Sequence, residues 1–77
     1  MQRKVYHIVF NNLSKQWNIK QAGLNFSQGS FNLKEKAVKM AVILAKTDKP
    51  SQVKIHGLDG KIQNEWTYEK DPRRYVS

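Results

Sequence analysis

The stretch from Leu33 to Thr47 carries the one clear helical period in this chain, and the segments around it read as short β-strands and turns. Apolar residues fall at Ala37, Met40, Ala41 and Leu44, and Val38, Val42 and Ala45 widen the stripe. That spacing puts one apolar face along a helix of 3.6 residues per turn. The opposite stripe holds Lys36, Lys39 and Lys46, interrupted by Ile43. Asn32 stands where an N-cap belongs, and Glu35 follows three residues later, a capping box with Asn in place of Ser or Thr. Glu35 also opposes the positive end of the helix dipole. Pro50, after Asp48-Lys49, cannot continue the helix and ends it.

The flanking segments have period two. Lys4 to Phe10 is rich in β-formers, with Tyr6, Ile8 and Phe10 on one face and Val5, His7 and Val9 on the other. Asn11 to Lys15 reads as a turn. Gln16 to Ala22 places Trp17 and Ile19 on one side and Gln16, Asn18 and Lys20 on the other, the pattern of a half-buried antiparallel strand. A short further strand is a candidate around Asn25 to Gln28. After the helix, Gln52 to His56 and Lys61 to Tyr68 form a hairpin about Asp59-Gly60, where both turn residues tolerate positive φ. Val53 and Ile55 share a face, as do Ile62, Asn64, Trp66 and Tyr68.

A helix and strands that each have one apolar face must bury those faces against one another. The expected fold is α+β: two layers, an antiparallel sheet of about four strands with one helix on one face, in the order ββαββ. Its core gathers Tyr6, Ile8, Phe10, Trp17, Ile19, Ala37, Met40, Ala41, Leu44, Val53, Ile55, Ile62 and Trp66. Each large side chain contributes about 1.5–3 kcal/mol when fully buried. A chain of 77 residues is one small domain, expected over residues 1–70 with a flexible charged tail at 71–77. At this size only about 60% of the unfolded surface is buried, so pairing with a second chain is a natural source of extra stability.

Four segments together are similar to one known family. They are Trp17-Asn18-Ile19-Lys20, Lys34-Glu35-Lys36-Ala37, Ile55-His56-Gly57-Leu58-Asp59-Gly60-Lys61-Ile62, and Thr67-Tyr68 ahead of Asp71-Pro72. The chain resembles, over nearly its whole length, the bacterial and phage family known as domain of unknown function 2188. The resemblance implies a small strand–helix–strand domain and carries no established activity, so no catalytic residue is transferred from it.

Charge and composition narrow the function classes. There are 14 Lys and Arg against 6 Asp and Glu, a formal charge of +8. There is no cysteine, which excludes a disulfide framework, a thiol nucleophile and a cysteine zinc site. No apolar run approaches the roughly 18 residues that span a bilayer. The apolar run after Met1-Gln2-Arg3-Lys4 is too short for a signal peptide and contains Tyr6 and His7, so the expectation is a cytoplasmic protein.

A basic surface gains affinity for phosphate by releasing counterions. The leading expectation is a non-enzymatic nucleic-acid-binding protein, for DNA or RNA, acting through Lys36, Lys39 and Lys46 on the helix and Lys20, Lys54, His56 and Lys61 on the outer sheet face. The plainer account of the same lysines is solubility and protection of sheet edges. The alternative function is a protein-interaction or homo-oligomerisation module, using an edge strand or an outer-face patch containing Val5 and Val9. No second helix supports a helix-turn-helix, and an RNA-recognition motif needs two helices. Trp17, Trp66, Tyr6 and Tyr68 share the parity of the apolar residues, so core packing is preferred over base stacking.

His7 and His56 fall on the outer face and come close if their strands are neighbours. The sequence offers no convincing third ligand, so no metal, no cofactor and no catalytic residue is expected. Glu65 is placed to pair with His56 across the hairpin. Gly57 to Gly60 lacks the spacing of a phosphate loop and reads as a turn.

Overall fold

The computed structural model describes residues 3–69. Five strands and one helix run in the order β1 (Lys4–Asn11), β2 (Gln16–Gln21), β3 (Ser27–Phe31), α1 (Lys34–Thr47), β4 (Ser51–His56) and β5 (Ile62–Tyr68). The strands form one sheet in the order β3-β2-β1-β4-β5. β1 and β4 are parallel, and the other three pairs are antiparallel. The class is α+β, as the periodicity requires, but the sheet has five strands and is mixed rather than four and antiparallel. The order is βββαββ, not ββαββ. The tail expected at residues 71–77 lies outside the described residues.

Two physical features account for the extra strand and its placement. β3 lies at Ser27–Phe31, later than Asn25 to Gln28, because its one large apolar residue, Phe31, pairs with Trp17 on the helix side. Gly29 faces Ile19, and a Cβ there would meet Phe31 Cε2 at 3.0 Å. The bare backbone of Gly29 leaves room for the Phe31 ring to lie back over it. The parallel pair arises because the chain leaves β3 at one sheet edge, crosses through α1, and re-enters beside β1. A crossover of this kind is what parallel strands need.

The helix rests on the sheet through Ala37, Ala41 and Ala45, each without solvent exposure. They recur every four residues, and their small side chains let the two layers approach closely. Beneath them lie Tyr6, Ile8, Trp17, Ile19, Val53 and Ile55, all buried. Phe10, Phe31, Val38, Leu44 and Tyr68 pack at the margins. Met40, expected in the core, is 38% exposed. At ~100° per residue it sits on the shoulder of the face centred on Ala41.

Helix entry also differs from the capping-box expectation. Leu33 occupies the N-cap position with no side-chain cap hydrogen bond. Asn32 instead accepts a hydrogen bond from Gln16 Nε2 at 3.4 Å. At the other end, the Asp48 N–H donates to the carbonyls of Leu44 and Ala45, and Ser51 Oγ donates to the Asp48 carbonyl. Ser51 is fully buried, so this bond satisfies a polar group under the helix exit.

The hairpins are set by local chemistry. Asn11 Oδ1 accepts hydrogen bonds from the N–H groups of Leu13 and Ser14, at 2.8 and 3.2 Å. Lys15 closes that loop with φ of 59°. In the β4–β5 connection the Gly60 N–H donates to the Gly57 carbonyl at 3.0 Å, and the Gly57 N–H donates to the Lys61 carbonyl at 2.8 Å. Gly60 alone has positive φ there, 86°. The turn therefore spans Leu58 to Gly60 rather than two left-handed residues at Asp59-Gly60.

β5 contains a bulge. Ile55 pairs with Asn64, but His56 pairs with Ile62, which leaves Gln63 as the additional residue. A bulge adds one residue to one strand and reverses the parity beyond it. Ile62 accordingly shares the outer face with His56 and is 45% exposed, against its expected core position. Trp66 keeps the helix-side parity opposite Val53, yet it is 39% exposed. The helix packs chiefly over β1 to β4, and β5 lies beyond its cover.

Candidate functional site

The sheet face away from the helix holds a row of polar and charged side chains. Register places Lys20, His7, Lys54 and Glu65 in one row across β2, β1, β4 and β5. Each alternates with the core residues of its own strand, so burying Ile8, Ile19, Val53 and Ile55 forces this row outward. Val5, Gln52 and Thr67 form the row on one side.

His7 and His56 meet on this face. Their nitrogens, His7 Nδ1 and His56 Nε2, are 2.9 Å apart. His56 Nδ1 lies 2.8 Å from the Gly60 carbonyl oxygen. A carbonyl only accepts, so His56 Nδ1 carries the proton, and in a neutral pair His7 Nδ1–H donates to His56 Nε2. Burial pushes the His7 pKa below its ordinary 6.5, and the neighbouring His56 and Lys54 act in the same direction. An imidazolium here would lose hydration and face other positive groups.

The six predicted lysines divide between two sides of the molecule. Lys20 and Lys54 flank His7 on the outer sheet face, together with His56. Lys36, Lys39 and Lys46 follow helical spacing opposite Ala37, Ala41 and Ala45 and are exposed on the far side. Lys61 is exposed beside the β4–β5 turn, where its N–H donates to Asp59 Oδ1 at 3.0 Å. The fold thus brings Lys20, Lys54 and His56 together and leaves the helix lysines apart from them. Among the described residues two ion pairs occur, Arg3–Glu69 and Lys4–Asp48, and neither uses any of these six lysines. The hydrogen bond from Lys4 to Asp48 raises the lysine pKa above its ordinary value.

Asn18, outward by its parity, is buried, and its Oδ1 accepts a hydrogen bond from Ser30 Oγ at 2.7 Å. It therefore ties β2 to β3. Glu65 is opposite Lys54 rather than His56. Its Oε1 accepts from Gln52 Nε2 at 3.4 Å.

One concavity has no signature in the sequence. Trp17, Lys34, Gly57, Leu58, Asp59 and Gln63 line an open depression of about 480 Å³ at the start of α1. Lys34 Nζ stands 5.1 Å from the Trp17 ring centroid and donates to Gln63 Oε1 at 2.6 Å. The β5 bulge turns Gln63 into this position, and no periodic pattern in the sequence foretells it. Among the described residues there is no cluster of three or more His, Cys, Asp or Glu side chains arranged to hold a metal ion. No helix of the described residues is long and apolar enough to cross a membrane.

Residues 6–68 match the model of the domain of unknown function 2188 family, described as an uncharacterized protein conserved in bacteria. The chain belongs to this family. The match runs from β1 through the end of β5, so the family corresponds to the whole sheet and its helix. No curated protein and no solved structure matches the chain.

Proposed function

We propose that this member of the family is a non-enzymatic nucleic-acid-binding protein whose primary contact surface is the open sheet face. The observation that carries this reading is the row Lys20–His7–Lys54 on the sheet face opposite the helix, where among the described residues neither lysine is in an ion pair, although Glu65 stands across from Lys54. Lys20, and Lys54 where it is not held in an ion pair by Glu65, are available to replace the counterions condensed on a phosphate backbone. Gln52 supplies a nearby hydrogen-bonding group on the same face, while both His56 ring nitrogens are engaged by His7 and the Gly60 carbonyl. The helix stripe Lys36, Lys39 and Lys46 is a separate phosphate-contacting surface, because it points away from the first. Fluorescence anisotropy with duplex DNA and with RNA tests the reading at about 50 and 200 mM salt, where phosphate-driven binding differs strongly. Salt-sensitive binding at micromolar protein supports it; none at the lower salt eliminates it.

A second reading rests on β5. This edge strand carries Ile62 and Trp66, both more than one-third exposed. An open edge with apolar side chains is suited to pairing with another strand. A protein-interaction or self-associating module would then use β5, with sedimentation that varies with protein concentration. A monomer at all concentrations argues against self-association.

A further inference from the structure

We infer that His7 and His56 form a two-imidazole chelate for a late first-row divalent cation, with Cu²⁺ the preferred ion and water completing its coordination. The placement of the two rings side by side on neighbouring strands carries the argument. Two nitrogens bound at ~2.05 Å in neighbouring positions of a square-planar ion lie about 2.9 Å apart. His7 Nδ1 and His56 Nε2 are held within 2.9 Å of each other by a hydrogen bond, so both reach one ion once that bond opens and the His7 ring turns. The parallel pairing of β1 with β4 holds both residues on one face, so backbone movement is not required.

The second observation is the outer hydrogen bond of His56. Its Nδ1 meets the Gly60 carbonyl at 2.8 Å. Metal-bound histidines commonly donate their other N–H to such a carbonyl, which fixes tautomer and orientation. His56 therefore presents the Nε2 lone pair in a set direction. His7 coordinates after moving its proton from Nδ1 to Nε2, and its ring swings to aim the freed lone pair at the ion. No net proton leaves a neutral pair. Copper stands at the top of the divalent series for nitrogen sites, which sets the preference over Ni²⁺ and Zn²⁺.

The surrounding charge opposes binding and supplies a control. Lys20 and Lys54 flank His7 on the two neighbouring strands, so the site has modest affinity. Lys54→Ala removes a repelling charge and should tighten Cu²⁺ binding by about two- to fivefold. The same substitution weakens phosphate binding, so failure of the chelate and failure of the nucleic-acid reading are distinguishable.

The chain contains two histidines in total, so no other imidazole competes. The test titrates the full chain with Cu²⁺ alone by calorimetry and records its electron paramagnetic resonance spectrum. Expected are one ion per chain, two equatorial imidazole nitrogens, and at least ~10-fold weaker binding in His7→Ala and in His56→Ala. Equal affinity in either folded variant overturns the proposal. So does a wild-type spectrum with fewer than two imidazole nitrogens, a readout that needs no variant to fold. Absence of binding up to about 100 μM Cu²⁺, a free energy near −5.5 kcal/mol, also overturns it.

Discussion

His7 on β1 and His56 on β4 join the two parallel strands through a 2.9 Å contact between ring nitrogens on the sheet face opposite the helix. Lys20 and Lys54 face His7 from β2 and β4, and Glu65 on β5 stands beyond Lys54. Burial first, then His56 and Lys54, hold the His7 pKa below the ordinary 6.5. A depressed histidine pKa means that the unfolded chain binds the proton more readily than the folded one. This stabilising contribution is therefore complete above pH 6.5 and declines as pH falls through the folded value. Denaturant midpoints measured from pH 7.5 down to about 5 should fall, and His7→Gln should flatten that fall. A curve of unchanged slope in the variant contradicts the assignment.

The alanine seam between α1 and the sheet is fully buried, so a larger side chain there must displace its neighbours. Ala41→Leu is expected to cost about 1–3 kcal/mol through overpacking. Ile43→Lys, on the exposed stripe at 52% exposure, should stay within about 0.5 kcal/mol of the parent. Urea denaturation of the two variants separates the seam from the solvent face.

Ile8 and Ile19 face each other at the centre of the sheet with no exposure. Truncating either to Ala should cost about 2–5 kcal/mol, because transfer energy is lost and a cavity remains. Thermal unfolding by circular dichroism gives the check, and a loss below 1 kcal/mol would contradict a close-packed centre.

Gly60 holds φ of 86° in the β4–β5 turn, with open space where a Cβ would sit. Gly60→Ala is thus strained by backbone conformation and not by a clash, at a cost of about 1–2 kcal/mol. Gly23, with φ of 93°, should behave alike. Equal stability of wild type and Gly60→Ala by denaturant titration would show that the turn adapts freely.

If the sheet face is the nucleic-acid surface, Lys20→Ala with Lys54→Ala lowers the magnitude of the salt slope by about two. Lys36→Ala, Lys39→Ala and Lys46→Ala together lower it only if the helix stripe also touches phosphate. Anisotropy titrations of both sets, at several salt concentrations, determine which of the two opposite surfaces is used.

Short-range patterns made much of this architecture readable. Tyr6 and Ile8 alternate with Val5, His7 and Val9, and the sheet burial follows that alternation. The buried alanines and exposed lysines of α1 follow from a period set by the helix itself. Ile62 shows where such reasoning stops. Parity counted backward from Trp66 puts Ile62 inside, but the bulge at Gln63 reverses it. Trp66 stays on the helix side and is still partly exposed, because its burial depends on how far α1 reaches across the sheet. Asn18 likewise has outward parity yet is buried at its junction with Ser30.

The amino-acid order alone determined one amphipathic helix among strands, the faces of β1, β2 and β4, and an excess of lysine, because each depends on neighbours a few positions apart. Tertiary structure decided that β3 closes one edge, that β1 and β4 run parallel, and that His7 and His56 touch across them. Those outcomes depend on which strands meet after the helical crossover. That choice is made by burying all the apolar faces at once, and no local period encodes it.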